Sequence, residues 1–372
     1  ENREYSMSLI LTFLGKGGVG RSVSAIATAK QLAQQGQRVL LVTQDVGPAV
    51  GMLMGTSLTP DAQVIEPNLT AVQLKSTVLL QQNWEMVKQL ESQYLRDPFF
   101  KAVYGQELSV LPGMDMALAL NAIREYDASG AYDVIVHDGP GDQHSLRMWG
   151  LPEGVDWYFR RFKQVFQSSQ FAKAVTPFVQ PVAAAVFSNV SFGSDVFDQP
   201  QVNQATNMIA DGKAAVNNPA RVRAYLVSTG SASAIATARY LWGAAQQIGL
   251  TVGGVLFNRA EASVSESFAP LPASLMPAWN EGDSWASLMS ALPDFRTVPA
   301  VPLPMTVDLE ALTVTLFLPS FDKKQIELTQ YGPEVTVEAG DQRRNVSLPP
   351  ALQGRSVTGA KFQDDALIIS FG

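Results

Sequence analysis

The sequence predicts an α/β protein: a doubly wound, mostly parallel sheet carrying a helical insertion, followed by a small all-β unit. Three observations carry this expectation. Short, near-continuous apolar runs alternate with helical periods up to about residue 150 and again after about 220, the pattern of a parallel sheet covered on both faces. A glycine loop, Gly15–Gly20, stands between the first apolar run and the first helical period. Beyond Pro304 the apolar period switches to two, as in an antiparallel sandwich.

The elements follow in order. Leu9–Leu14 is apolar enough to be a strand buried on both faces. From Ser22 to Gln35, the residues Val23, Ile26, Ala27, Ala29 and Ala33 repeat with a helical period that Gly36 ends. Arg38–Thr43 is a second buried strand, leading to Asp45, and Tyr132–His137 a third, leading to Asp138. Between about 150 and 220 the strand pattern stops. Trp157, Tyr158, Phe159, Phe162, Val165, Phe166 and Phe171 form a dense apolar stripe at helical spacing, with Arg160, Arg161 and Lys163 between them. Ser188–Asn218, rich in Asn, Gln and Gly, reads as a gate or an irregular surface excursion. Arg223–Ser228, an Ala-rich helix around Ala232–Gln247, and Val252–Phe257 leading to Asn258 resume the alternation.

Pro299, Pro302 and Pro304 punctuate a stiff linker. The expected organisation is therefore a main domain over 7–299 with its insertion at about 150–220, a linker over 300–305 and a β domain over 306–372. In that last domain Leu312, Val314, Leu316 and Leu318 alternate with other residues, as do Val335/Val337 and Leu367/Ile369/Phe371. Glu1–Ser6 precede Met7, the expected native start, and read as a cloning remnant.

Composition narrows the chemistry. A chain of 372 residues with 46% hydrophobic and 16% charged residues can bury a large core. Its net charge of -7 argues against a nucleic-acid surface. With no cysteine there is no disulfide, thiolate zinc site or thiol nucleophile, and with two histidines a histidine-rich metal site is not expected. No apolar run reaches membrane-spanning length and the start does not read as a signal peptide, so a cytoplasmic location, or an organelle stroma, is expected without stable membrane insertion.

Gly15-Lys16-Gly17-Gly18-Val19-Gly20-Arg21-Ser22 follows a strand and opens a helix. Glycines let successive N–H groups converge on an anion, and the helix N-terminus adds positive potential, so the loop reads as a phosphate cradle for a nucleotide. Ser22 is in position to offer its hydroxyl to Mg²⁺. Asp45 and Asp138 both follow strand ends, where such a sheet gathers its ligands.

These residues resemble those of the arsenite-pump ATPases and tail-anchored-protein targeting ATPases. Lys16 belongs to a deviant loop pattern, K-G-G-x-G-K-[ST], of ATPases that work as face-to-face dimers; here Arg21 stands where the second lysine is usual. The family's second switch reads D-T-A-P-T-G-H-T-L-R, matched by Asp138, His144, Leu146 and Arg147, with Ser145 for Thr. Its first switch reads D-P-A-H, of which only Asp45 matches in Asp45-Val46-Gly47-Pro48. The resemblance implies a homodimer that binds ATP or ADP with Mg²⁺. Asp45 would position the attacking water and Asp138 would hold Mg²⁺ through water. Lys16 would reach the partner's phosphates, and Asn258 would read the adenine. Gly15, Gly17, Gly18, Val19, Gly20, Arg21 and Ser22 would surround the phosphates. It further implies that helices at the insertion line a groove for apolar protein segments such as those of tail-anchored membrane proteins, with Phe159, Phe162 and Phe166 as candidates. The absent cysteines rule out the family's zinc pair and arsenite-binding thiols.

Leu318-Pro319-Ser320-Phe321 through Ile326, Leu348-Pro349, Gly359–Phe362 and Ala366–Ile369 resemble the α-crystallin domain of small heat-shock proteins. Gly340–Asn345 is too short for that family's strand-swapping loop, and no I-x-I tail follows. The β domain is expected to dock on the ATPase domain rather than to drive assembly. The reading is an ATP-hydrolysing homodimer that handles apolar segments. The alternative is a nucleotide-bound scaffold or holdase in which Arg21 has removed turnover.

Overall fold

The computed structural model describes residues 7–83, 113–168, 200–331, 334–346 and 348–372. The first strand β1 (Leu9–Leu14) leads into α1 (Arg21–Gln34), β2 (Val39–Thr43) and α2 (Ala49–Met54). A hairpin of β3 (Gln63–Glu66) and β4 (Leu69–Gln73) follows, then α3 (Met114–Ala128), β5 (Val134–Asp138) and α4 (Gln143–Ser168). After α5 (Pro200–Val216) come β6 (Val222–Ser228), α6 (Ala232–Gln247), β7 (Val252–Asn258), β8 (Ala273–Met276) and α7 (Ala286–Ala291).

The eight strands form one sheet in the order β3-β4-β2-β5-β1-β6-β7-β8. Every pairing is parallel except β3 with β4. All residues of β2, β5 and β6 are buried, which is why these strands read as near-continuous apolar runs, with Arg223 buried inside β6. Successive side chains alternate between two cores, one on each face. Ile10, Leu40 and Ile135 face one, and Leu11, Leu41 and Val136 the other with α1. Chain order reverses around β1, between β5 and β6, and ligands of such sheets bind beyond the strand ends at that point.

One expectation is corrected. Residues within Ser188–Asn218 are not an irregular excursion throughout: α5 occupies Pro200–Val216 and buries Ile209 and Val216. Its polarity reflects a helix that settles on α4 partly through charge, with Lys213 between Glu153 at 3.1 Å and Asp156 at 3.0 Å. The remainder of that segment, 188–199, lies outside the described residues. Around the main sheet the sequence reading also missed β3, β4, β8, α2, α3 and α7.

The last part contains β9 (Met305–Asp308), β10 (Thr313–Phe317), β11 (Ile326–Tyr331), β12 (Glu334–Ala339), β13 (Gln342–Val346), β14 (Val357–Gln363) and β15 (Ala366–Phe371). They make two antiparallel sheets, β14-β15-β10-β9 and β11-β12-β13. Val314, Leu316, Val335, Val337, Leu367, Ile369 and Phe371 meet between them. Gly340 and Asp341 form the turn between β12 and β13, with Gly340 at φ 59°, so Gln342–Asn345 is strand and not loop.

This sandwich sits directly on α6. Trp242 meets Phe317 with ring centroids 5.7 Å apart, and Gln247 Nε2 donates to the Val337 carbonyl at 2.6 Å. A Cβ on Gly243 would collide with the Pro319 carbonyl and lie 2.7 Å from the Phe321 ring. A mid-helix glycine weakens a helix, and here it admits that close approach. Arg344, fully buried, reaches the Gln246 carbonyl at 3.4 Å and Asn217 Oδ1 at 3.5 Å. Among the described residues no helix is long and apolar enough to cross a membrane.

Candidate functional site

The glycine loop leaves β1 and enters α1 where the sheet reverses. Gly18 and Gly20 have φ of 81° and 93°, backbone that L side chains rarely adopt. A Cβ on Gly15 would strike the Val227 carbonyl of β6, and one on Gly20 would lie 2.5 Å from Asn258 Nδ2. Nothing stands within 4 Å of where a Cβ would project from Gly17 or Gly18, so the loop's outer face is open. Gly15 N–H donates to the Gly141 carbonyl at 2.8 Å, tying the loop to the segment after β5.

At the foot of the cradle, the Ser22 hydroxyl donates to Asp138 Oδ1 at 3.1 Å and the Thr43 hydroxyl to Oδ2 at 3.2 Å. Burial pushes Asp138 up to about 6. The Ser22 bond, Arg21 and the Thr43 bond pull the other way, while Asp45 adds to the rise. An oxygen donor pair of this kind suits Mg²⁺, a hard cation that retains waters, and a cation there favours the ionised carboxylate. Fit to a nucleotide phosphate with Mg²⁺ is therefore good on both the cradle and its donors.

Arg21 does not turn towards the open face of the loop. Its Nη1 donates to the Gly139 carbonyl at 3.0 Å and to that of Pro140. Burial lowers its pKa against the pull of Asp138 and Asp142, and a guanidinium stays charged throughout. Asp45 is exposed, and its Oδ1 accepts from Gly47 N–H at 2.8 Å. Gln73 of β4 holds this turn by donating to the carbonyls of Asp45 at 2.8 Å and Gly47 at 2.9 Å.

Lys16 is exposed on the outer side, in an open cleft of about 300 Å³ that it lines with Gly17, Gly18, Thr229, Ser231 and Arg259. Asn258 Nδ2 donates to the Val19 carbonyl at 2.7 Å, bracing the loop. His144 is exposed and accepts no burial. Its backbone N–H donates to Asp142 Oδ1 at 2.9 Å and its ring stands 3.2 Å from the same oxygen. His137, by contrast, is buried between Thr12 Oγ1 at 2.9 Å and Gln44 Oε1 at 3.0 Å, and burial lowers it to about 3.

Gly15–Ser22, Asp45, Asp138 and Asn258 thus gather at one end of the sheet. Gln73 and Val227 join them from distant elements, Gly141 from within the stretch Asp138–Arg147 already matched to the second switch, and Arg259 from beside Asn258. Of the two distant residues Gln73 had a signal, a polar residue ending an apolar run. The side chains of Phe159, Phe162 and Phe166 lie outside the described residues.

The family model of the anion-transporting ATPases matches residues 8–270, and that of an HSP20-like domain found in ArsA matches 310–371. A Chlorobaculum tepidum protein, provisionally named an arsenical pump-driving ATPase, is 24% identical over 97% of this chain and 95% of its own. The ATPase GET3 of Malassezia globosa is 27% identical over 49% of this chain and 52% of its own. The ATPase get3 of Schizosaccharomyces pombe is 30% identical over 41% and 46%.

Proposed function

Because the chain belongs to the anion-transporting ATPase family, we propose that it binds Mg-ATP in the Gly15–Ser22 cradle and hydrolyses it as a homodimer. The observation that carries this reading is the Ser22 hydroxyl set 3.1 Å from a buried Asp138 beneath an open glycine loop. When bound, Mg²⁺ would neutralise phosphate charge. The chain's own residues do the rest. Loop N–H groups would hold phosphate oxygens, and Ser22 and Asp138 would hold the metal, Asp138 through water. Asp45, exposed at the first switch, orients the attacking water and takes its proton. Lys16, on the outer face, reaches the phosphates of a second subunit. Asn258 lies beside the loop, within reach of a base.

Nucleotide state would then open and close a surface for apolar protein segments, including those of tail-anchored membrane proteins, with Phe159, Phe162 and Phe166 on it. Residues 7–299 would form the ATPase domain and 306–372 the α-crystallin-like domain, in a cytoplasmic or stromal protein. Arg21 bears on the rate, since a guanidinium spent on two carbonyls is not at the phosphates; a nucleotide-bound scaffold without turnover is the second reading.

Calorimetry with Mg-ATP, turnover and mass under saturating ATP test the proposal together. Heat of binding, phosphate release and a dimeric mass are expected, and Asp45→Asn should retain binding while lowering kcat by about 10²–10⁴-fold. No heat would end the nucleotide reading. Heat without turnover would leave the scaffold, and a turning-over monomer would remove the role of Lys16.

A further inference from the structure

The segment after β5 that touches the phosphate loop runs straight into α4, and the first turn of α4 is held from both sides. On the inner side, Gly141 N–H donates to Ser145 Oγ at 2.8 Å while the Gly141 carbonyl accepts from Gly15 N–H at 2.8 Å. One residue thus joins the loop to the helix start. On the outer side stands the β12–β13 turn of the C-terminal sandwich. Gln342 Nε2 donates to Gln143 Oε1 at 2.5 Å, and Arg147 Nη2 donates to Asp341 Oδ2 at 3.0 Å. Asp341 N–H in turn donates to the Tyr240 hydroxyl of α6 at 3.3 Å.

The hairpin cannot yield easily. Its next residues are anchored by the buried Arg344 and by the bond from Gln247 to Val337. A rigid hairpin therefore fixes Gln143 and Arg147, the helix they start fixes Ser145, and Ser145 fixes Gly141. The path from the sandwich to the phosphate loop crosses one helical turn.

We propose that Asp341 and Gln342 are positioning residues of the nucleotide site, acting through the first turn of α4, so that the α-crystallin-like domain sets how the site responds to nucleotide. This rests on the nucleotide reading above. Coupling of this kind is reciprocal: if the hairpin alters nucleotide handling, nucleotide must alter the stability of the hairpin.

The Arg147–Asp341 pair is convenient for a test because both side chains are more than half exposed, at 54% and 62%, so its replacement leaves the core alone. The experiment uses the full chain and compares wild type, Asp341→Ala, Arg147→Asp and the exchanged pair Arg147→Asp/Asp341→Arg. It reads kcat at saturating Mg-ATP and, should wild type bind without turnover, the Mg-ATP Kd. Each single change should impair the measured value by about two- to fivefold, the scale of one exposed pair, and the exchanged pair should recover it. In wild type, Mg-ATP should also change hydrogen exchange at amides 338–343.

Wild-type nucleotide binding with unchanged single variants and unchanged hairpin exchange would overturn the proposal. So would a loss of Tm in the single variants with kcat and Kd intact. A wild type that binds no Mg-ATP overturns the nucleotide reading first and this inference with it, an outcome visible before any variant is made.

Discussion

Arg21 and His137 show how single side chains around the cradle are used. The Arg21 guanidinium is committed to the carbonyls of Gly139 and Pro140. Both bonds leave one nitrogen, Nη1, which the guanidinium carries one atom farther from the backbone than lysine carries its ammonium. Arg21→Lys should therefore free the cation for the phosphates and raise turnover by about tenfold, the worth of one charge-assisted contact made in the transition state. Phosphate-release kinetics check this, and an unchanged or lower kcat would mean that Arg21 already serves the phosphates. His137 makes a pH prediction. Burial holds its folded pKa at about 3, below the ordinary 6.5, so the unfolded chain binds more protons between those values. Its contribution is fully present above about pH 6.5 and is lost as pH falls towards 3. Asp138, raised to about 6, acts with the opposite sign between about pH 4 and 6. Comparison with His137→Gln isolates the histidine: wild type should lose more Tm than the variant between pH 6.5 and 4. Equal losses would show that His137 does not govern that window.

At the scale of elements, α4 and α5 are joined by Lys213, which lies between Glu153 and Asp156 with all three side chains under 20% exposed. Lys213→Met would leave two half-buried carboxylates facing each other. It should cost about 1–3 kcal/mol in urea unfolding, and a cost near zero would mean that water replaces the ammonium freely. Which elements the sequence discloses depends on how local their pattern is. The Ala-rich helix expected around Ala232–Gln247 spans that range, its apolar period being local to one stretch of chain. β5 was expected over 132–137 and spans Val134–Asp138. The hairpin strands β3 and β4 and the edge strand β8 are four or five residues each, too short for a period to rise above its surroundings. α3 repeats Met114, Leu118 and Ala122 at helical spacing, a signal that was present and passed over. The site divides in the same way. Gly15–Ser22 is legible because one stretch of chain holds both cradle and helix start. Val227, which crowds Gly15, and Gly141, whose carbonyl accepts from Gly15 N–H, arrive through the sheet order, and that order is written nowhere in the loop.

For the whole molecule, the seat of the sandwich on α6 decides whether the two units behave as one. Gly243 admits the Pro319–Phe321 segment, and Trp242 continues the aromatic contact from Phe317 to Phe268, whose ring lies 6.3 Å away in the ATPase core. Gly243→Leu should lift the sandwich while leaving α6 helical, since leucine is the better helix former. Limited proteolysis should then cut near Pro299–Pro304, and heating should give two transitions where wild type gives one. A single transition in the variant would show that the seat tolerates the added side chain. The same seat has a consequence for synthesis. Gln247 waits for a partner 90 residues downstream, at Val337. At about 5–20 residues per second that wait is about 5–20 s, during which the outer side of α6 has emerged from the ribosome without its cover. A nascent chain paused before residue 337 should therefore be the species most in need of a chaperone, although the ATPase sheet is already complete.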